Sequence, residues 1–357
     1  MPMKVAVCTP DLRTVGGIAS LVRTWLEAPE LAGVELRLFR VSTGGSMARK
    51  GAYALAGPLR LWAALAAGYR PDVGHVHFGG MASMAREAQY VAAFEAFGIP
   101  WVAHTHAPLN LIRPAERSRA NEAVIRRVLS AADAVIVVTR ALEPRVREWT
   151  GGRVPIHTVY NPVDPASLPT PGAGEGPPEV LFLGMMVRDK GVFDLIDVAA
   201  RVRAAVPGVR FTLGGDGPEF EQVKQAIATA GVGDFVATPG WIGGDTLRAA
   251  FGRASVFALP SYNEGFPVCI VEAMVVGLPV VSTGVWGIPE AVLDGETGLI
   301  HQPGDRDALA RALIDLLADR ERARAMGLAG RKRALSTFSR EALMGQTRRI
   351  WEAVARL

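Results

Sequence analysis

The chain has 357 residues, 49% of them hydrophobic and 21% charged, with a formal net charge of +4. That is about two domains with enough apolar content to fill two cores, which excludes a disordered chain. So slight a charge for this length does not imply nucleic acid as a partner, while it leaves room for weak attraction to an anionic lipid surface. The two cysteines, Cys8 and Cys269, sit in separate apolar runs and read as small core residues, not as a disulfide framework, which points to a reducing compartment.

Lys4 to Thr9 reads as a first buried strand. The apolar run VAVC is too short for a signal peptide, and no stretch approaches the roughly 18 apolar residues of a membrane span, so a cytoplasmic protein is expected. A loop ending in Gly16-Gly17 leads to a helix from about Ile18 to Leu26, without the GxGxxG fingerprint of a dinucleotide fold. After a strand at Val34 to Val41, the polar, Gly-rich residues from Ser42 to Gly51 read as a loop that could border a pocket. Asp72 to Phe78, Pro100 to Thr105 and Asp133 to Val138 are further short apolar strands. Their spacing by helix-length segments implies crossover connections and a parallel sheet covered on both faces. Pro114 to Ser130 reads as a helix whose Arg117, Arg119, Arg126 and Arg127 form a solvated face in preference to a membrane-docking one.

Four of the six histidines form H-x-H pairs, His75/His77 and His104/His106. Residues two apart on a strand face the same way, so each pair could offer a metal two imidazoles. Their place at the C-terminal ends of neighbouring parallel strands favours lining a ligand cleft, with His75 and His104 as core residues, and no metal is assigned. Asn161 to Pro178 is dense in Pro and Gly and reads as a linker. Beyond it the alternation resumes, with strands at Val180 to Leu183, Val209 to Leu213, Phe235 to Ala237 and Val256 to Leu259, and helices starting near Gly191, Pro218 and Asp245. Two similar doubly wound domains are therefore expected. Asp305-Arg306-Asp307 spells a DxD metal motif, but after Pro303-Gly304 it reads as a helix cap with first-turn charges.

The stretch Val256 to Thr283, VFALPSYNEGFPVCIVEAMVVGLPVVST, organises the rest. A buried strand runs into a polar turn, and a helix follows with Pro267 at its first position and Gly277 just past its end. The helix, VCIVEAMVV, is apolar almost all round, and Glu272 is its one ionisable group. A buried carboxylate left unpaired is costly, so Glu272 needs donors from the protein or from a hydroxyl-bearing ligand. Glu264 precedes the helix, and free N–H groups around Gly265, Phe266 and Val268 suit ligand oxygens. In LFLGMMVRDKG, Arg188 and Lys190 place two cations at a helix start, as a pyrophosphate requires.

The two acids of PSYNEGFPVCIVEAMVVGLPVVST, with seven residues between them, and Gly-Phe-Pro, Ala-Met and Gly-Leu-Pro-Val-Val in one order, closely resemble the signature of retaining glycosyltransferases of family 4. The resemblance implies the GT-B architecture: a first Rossmann-like domain at residues 1–162 on the acceptor side, completed by a C-terminal helix at 340–357 crossing back; a linker at 163–178; and a donor domain at 179–339. It implies transfer from a nucleotide diphosphate sugar, as co-substrate and without another cofactor, to a hydroxyl acceptor such as a lipid-linked saccharide in cell-surface polysaccharide or glycolipid assembly, at the inner face of the membrane. Glu264 with Gly265, Phe266, Pro267 and Val268 would hold the sugar, Glu272 the ribose, and Lys190 with Arg188 the diphosphate. The Gly16-Gly17 loop resembles the one that such enzymes set against donor and acceptor. His106, in HTHAP, matches the histidine that approaches the sugar ring, and His77 a less specific strand-end position. The chain departs from the family at Met185, where an arginine is usual. That departure keeps a catalytically weak scaffold as a rival; a nucleotide-sugar epimerase and a two-domain solute-binding protein are others.

Overall fold

The computed structural model describes residues 2–14, 16–43, 47–106, 118–169 and 176–356. The expected helix start at Pro114, with Arg117, and residues 44–46 and 170–175 of the expected loop and linker lie outside them. Contacts divide the chain into one unit of Met1–Pro162 with Arg340–Leu357 and a second of Val163–Ser339.

The first unit runs β1 (Met3–Pro10), α1 (Gly17–Glu27), β2 (Val34–Ser42), α2 (Met47–Ala66), β3 (Val73–Phe78), α3 (Met81–Ala96), β4 (Trp101–Thr105), α4 (Arg119–Ser130), β5 (Ala134–Val137), α5 (Glu143–Thr150) and β6 (Ile156–Thr158). Its strands pair in parallel in the order β2-β1-β3-β4-β5-β6. The central strands are apolar because helices cover both faces, the condition under which strands read as continuous hydrophobic runs. The expected polar loop at Ser42 to Gly51 is a helix from Met47 onward. Ala, Met, Arg and Lys there are good helix formers, and Gly51 costs the helix only about 1 kcal/mol. β6 was not anticipated, since a three-residue edge strand carries too little pattern. On α4, Ser118 caps the N-terminus by accepting from the Asn121 N–H at 3.0 Å. Arg126 pairs with Glu122 and Glu148, and Arg127 with Glu95, so these cations serve surface ion pairs.

The second unit runs β7 (Glu179–Leu183), α6 (Val192–Ala205), β8 (Arg210–Gly214), α7 (Phe220–Thr229), β9 (Val236–Gly240), α8 (Gly244–Arg253), β10 (Val256–Leu259), α9 (Val268–Val276), β11 (Val280–Thr283), α10 (Ile288–Ala291), β12 (Gly298–His301), α11 (Arg306–Ala318) and α12 (Arg320–Thr337). Its parallel order is β12-β11-β10-β7-β8-β9. β11 and β12 complete the sheet beyond the expected strands. Asp305 accepts from the Ala308 N–H at 2.8 Å and so caps α11, which accounts for the DxD sequence.

The remaining helix, α13 (Arg340–Val354), packs into the first unit. Leu343, Met344, Ile350, Trp351 and Val354 join one buried cluster with Val5, Val7 and Val102 of the sheet and with Trp25 of α1. Trp351 and Trp25 meet edge to face, with ring centroids 5.1 Å apart. Among the described residues no helix is long and apolar enough to cross a membrane.

Candidate functional site

In both sheets the strand order reverses at one point, between β1 and β3 in the first unit and between β7 and β10 in the second. Loops leaving such a point diverge to opposite faces and open a crevice at the strands' C-terminal ends, where open α/β sheets bind ligands. The sequence elements singled out above follow these strands: Gly184 to Gly191 after β7, Pro260 to Pro267 after β10, Gly16-Gly17 after β1 and His77 at the end of β3.

In the second unit the two loops are tied to one another. The Tyr262 N–H donates to the Asp189 carbonyl at 2.8 Å. Asp194, buried on α6, accepts from the Tyr262 hydroxyl at 2.7 Å and from Arg306 Nε at 2.8 Å. Thr283 Oγ1 of β11 donates to the Ser261 carbonyl at 2.5 Å. Gly191 turns left-handed at φ 71°, and a Cβ there would strike the Pro260 carbonyl. Gly191→Ala is therefore expected to destabilise the second unit by about 1–3 kcal/mol, read by thermal unfolding.

This frame sets Lys190 Nζ 2.5 Å from Glu264 Oε1, and Ser261 Oγ donates to the same oxygen at 3.0 Å. Glu264 is buried, and Lys190 keeps 25% of its side chain exposed. Arg188 is exposed. Its backbone N–H donates to Glu219 at 2.7 Å and its guanidinium lies 4.5 Å from the Phe193 ring centroid. Met185 is 56% exposed two residues after β7. The Gly265 carbonyl accepts from the Gly287 N–H at 3.1 Å, and Phe266 packs on Phe338 with centroids 5.2 Å apart. Pro267 stands one position earlier than expected. It is the extended cap residue, and Val268 is the first of α9. The helix closes on a left-handed Gly277, whose neighbour Leu278 donates to Ala273.

Glu272 lies on α9 and is partly buried. Among the described residues no hydrogen bond or ion pair reaches its carboxylate, and desolvation raises its pKa to about 7. A half-buried carboxylate with no donor among the described residues is open to one from outside.

The first unit contributes two features. The α1 N-terminus begins at Gly17 behind Gly16 and has no side-chain cap among the described residues. The four histidines of β3, β4 and the residue after it form one cluster, His75 bonded to His104 at 3.1 Å and His77 to His106 at 2.9 Å. His75, His77 and His104 are buried and do not line a cleft; only His106 is partly accessible. Trp25 covers the first three, which is the physical reason for the difference. Separately, a cavity of about 810 Å³ is bounded by Asp11, Arg13, Arg37, Arg40 and Arg60. Sequence reading missed this cavity, because its arginines come from the β1–α1 loop, β2 and α2 without a shared motif. It also missed Ser261, and Trp286, which adopts φ 44° beside Gly287 and whose strain no periodicity announces.

This pairing of two doubly wound units with acid- and cation-bearing switch-point loops is the GT-B glycosyltransferase fold. Residues 166–333 match the family described as Glycosyl transferases group 1, and residues 15–167 match Glycosyltransferase Family 4. A GDP-mannose-dependent alpha-(1-6)-phosphatidylinositol monomannoside mannosyltransferase from Mycolicibacterium smegmatis is 32% identical over 284 residues, spanning 75% of this chain and 73% of the relative. A glycogen synthase from Mycobacterium tuberculosis is 28% identical over 300 residues, spanning 81% and 70%. Among solved structures, the sucrose-phosphate synthase of Thermosynechococcus elongatus superposes with a TM-score of 0.84 at 24% identity over 99% of both chains. Anabaena HepE in complex with UDP and glucose gives 0.77 at 19%, over 98% of this chain and 100% of that one. The chain belongs to the family 4 glycosyltransferases.

Proposed function

We propose that this protein moves a sugar from a nucleotide diphosphate donor to a hydroxyl acceptor with retention at the anomeric carbon. The observation that carries this reading is the unpartnered Glu272 carboxylate on an otherwise apolar helix. Ribose hydroxyls are donors of the required kind, and the relatives named for GDP-mannose and solved with UDP point the same way. Lys190 and Arg188 would take the diphosphate, Glu264 with the backbone of Gly265 to Val268 the sugar, and Gly17 and His106 the reacting end. As the glycosidic bond breaks, charge develops on the departing diphosphate, and the two cations neutralise it without a metal ion.

The acceptor reading is a lipid-linked saccharide in cell-surface polysaccharide or glycolipid assembly, with weak association at an anionic membrane. The arginine-rich cavity of the first unit supports an acceptor that carries an anionic group. A scaffold role is the second reading, favoured by the exposed Met185 where a cation is usual. Incubation of purified protein with a panel of nucleotide sugars and saccharide acceptors decides between them. Transfer, with the product's anomeric configuration read by NMR, supports catalysis with retention. Absence of both transfer and slow donor hydrolysis across the panel would leave the scaffold.

A further inference from the structure

The histidine cluster of the first unit takes a hydrogen bond from one residue of the C-terminal helix. Trp351 of α13 has an indole N–H and no acceptor, so its 2.9 Å bond to His75 Nδ1 requires a lone pair there. Burial holds His75, His77 and His104 well below the ordinary histidine pKa and His106 at about 3, so all four rings are neutral with one proton each. The proton of His75 is therefore on Nε2, and it points at His104 Nδ1, 3.1 Å away. His104 must accept at that nitrogen, which places its own proton on Nε2.

Among the described residues, His104 Nε2 is buried without a partner, and so is His77 Nε2. A buried N–H left without a partner is costlier than a buried lone pair left without one, and a neutral ring that makes one bond avoids this by placing its proton in that bond. His77 thus keeps a lone pair at Nε2 and carries its proton on Nδ1, the nitrogen 2.9 Å from His106 Nε2. His106 accepts there and retains its proton on Nδ1. The same bonds argue against a cation in the cluster. The ligand atoms of His75, His77 and His104 lie within 4.8 Å of one another, but coordination through His75 Nε2 would drive its proton onto Nδ1, against the Trp351 N–H.

We propose that His77 is a positioning residue for transfer: in a two-ring relay its Nδ1–H holds His106 as the Nδ1–H tautomer, so that the other nitrogen of His106 donates a hydrogen bond to a substrate oxygen. This rests on the reading of His106 as a site residue.

The direct test is ¹⁵N-histidine NMR of the full chain, in which ring-nitrogen shifts and N–H couplings distinguish the tautomers. The expected result is Nε2–H for His75 and His104 and Nδ1–H for His77 and His106; an Nε2-protonated His106 overturns the relay. The kinetic test compares His77→Phe, which removes the donor, with His77→Asn, whose amide keeps an N–H near the place of Nδ1. A displaced reacting group costs on the order of 100-fold, so His77→Phe is expected to lose about that much kcat with donor KM unchanged, and His77→Asn to regain most of it. Equal losses in both, or a loss confined to KM, overturn the positioning role. If His77→Phe does not fold, the tautomers of the unaltered protein still decide. Full activity of His106→Ala would remove His106 from the site and the positioning role with it. An Nε2-protonated His106 in an active enzyme would sink the relay alone.

Discussion

Lys190→Ala is expected to lower kcat by about 10²–10³-fold, the usual cost of removing a charge stabiliser from a transition state. Lys190 is the cation that the switch-point loops hold most firmly, 2.5 Å from a buried Glu264 and anchored by the adjacent Gly191 turn. Its removal also strips Glu264 of a counterion, so a stability loss accompanies the kinetic one. A second substitution separates the two effects. In Lys190→Ala/Glu264→Gln the uncompensated charge is gone, and thermal unfolding is expected to recover toward the parent value while kcat stays low. Activity returning together with stability would reduce Lys190 to the counterion of Glu264. Steady-state kinetics and melting curves on the parent, the single and the double variant make the comparison.

Glu272→Gln is expected to stabilise the free protein and to weaken nucleotide binding at the same time. Burial raises the Glu272 pKa from 4.5 to about 7 in the folded chain. A folded pKa above the unfolded value means that the protein loses stability as pH rises from the ordinary carboxylate range through about 7, and that the full penalty stands above it. The amide carries no such penalty. Parent and variant should therefore melt alike near pH 4.5, and the variant should gain on the order of 2 kcal/mol by pH 8. The ligand effect has the opposite sign. Ribose hydroxyls donate to the ionised form, so nucleotide affinity in the parent should rise with pH through about 7, and the variant should bind about tenfold more weakly at pH 8 without that dependence. Titration calorimetry at pH 6 and pH 8 checks it. A nucleotide affinity equal in both proteins would show that Glu272 serves the fold alone.

The unpaired acid was legible before any coordinates, because a lone glutamate in VCIVEAMVV has no sequence neighbour able to satisfy it. The cation pair in VRDK and the glycines around it were legible for a similar reason, being charges placed where a strand gives way to a helix. The strands of both sheets could be located from their apolar runs, whereas β6, β11 and β12 could not. Short strands at an edge, or following a helix as apolar as α9, give no change of period to mark them. The H-x-H pairs show where pattern stops: alternation places both members of a pair on one face, but burial depends on Trp25 and Trp351, which arrive from distant segments. The links from Ser261 to Glu264, from Tyr262 to Asp194 and from Thr283 to Ser261 are likewise fixed by sheet order and not by spacing along the chain.

The path of the polypeptide makes the second unit an insertion within the first. The chain leaves the first unit after Pro162 and re-enters it at Arg340, and the two passages are stitched side by side where the Val163 N–H meets the Phe338 carbonyl at 3.3 Å and Val163 bridges Ser339. During synthesis the inserted unit has all its strands before α13 emerges, so it can close on the ribosome while its host still lacks Trp351 and the cap over His75. A fragment ending at Pro162 would expose the apolar seat of that helix, formed by Val5, Val7, Trp25 and Val102. Expression of the first unit by itself thus calls for a short graft joining Pro162 to Arg340.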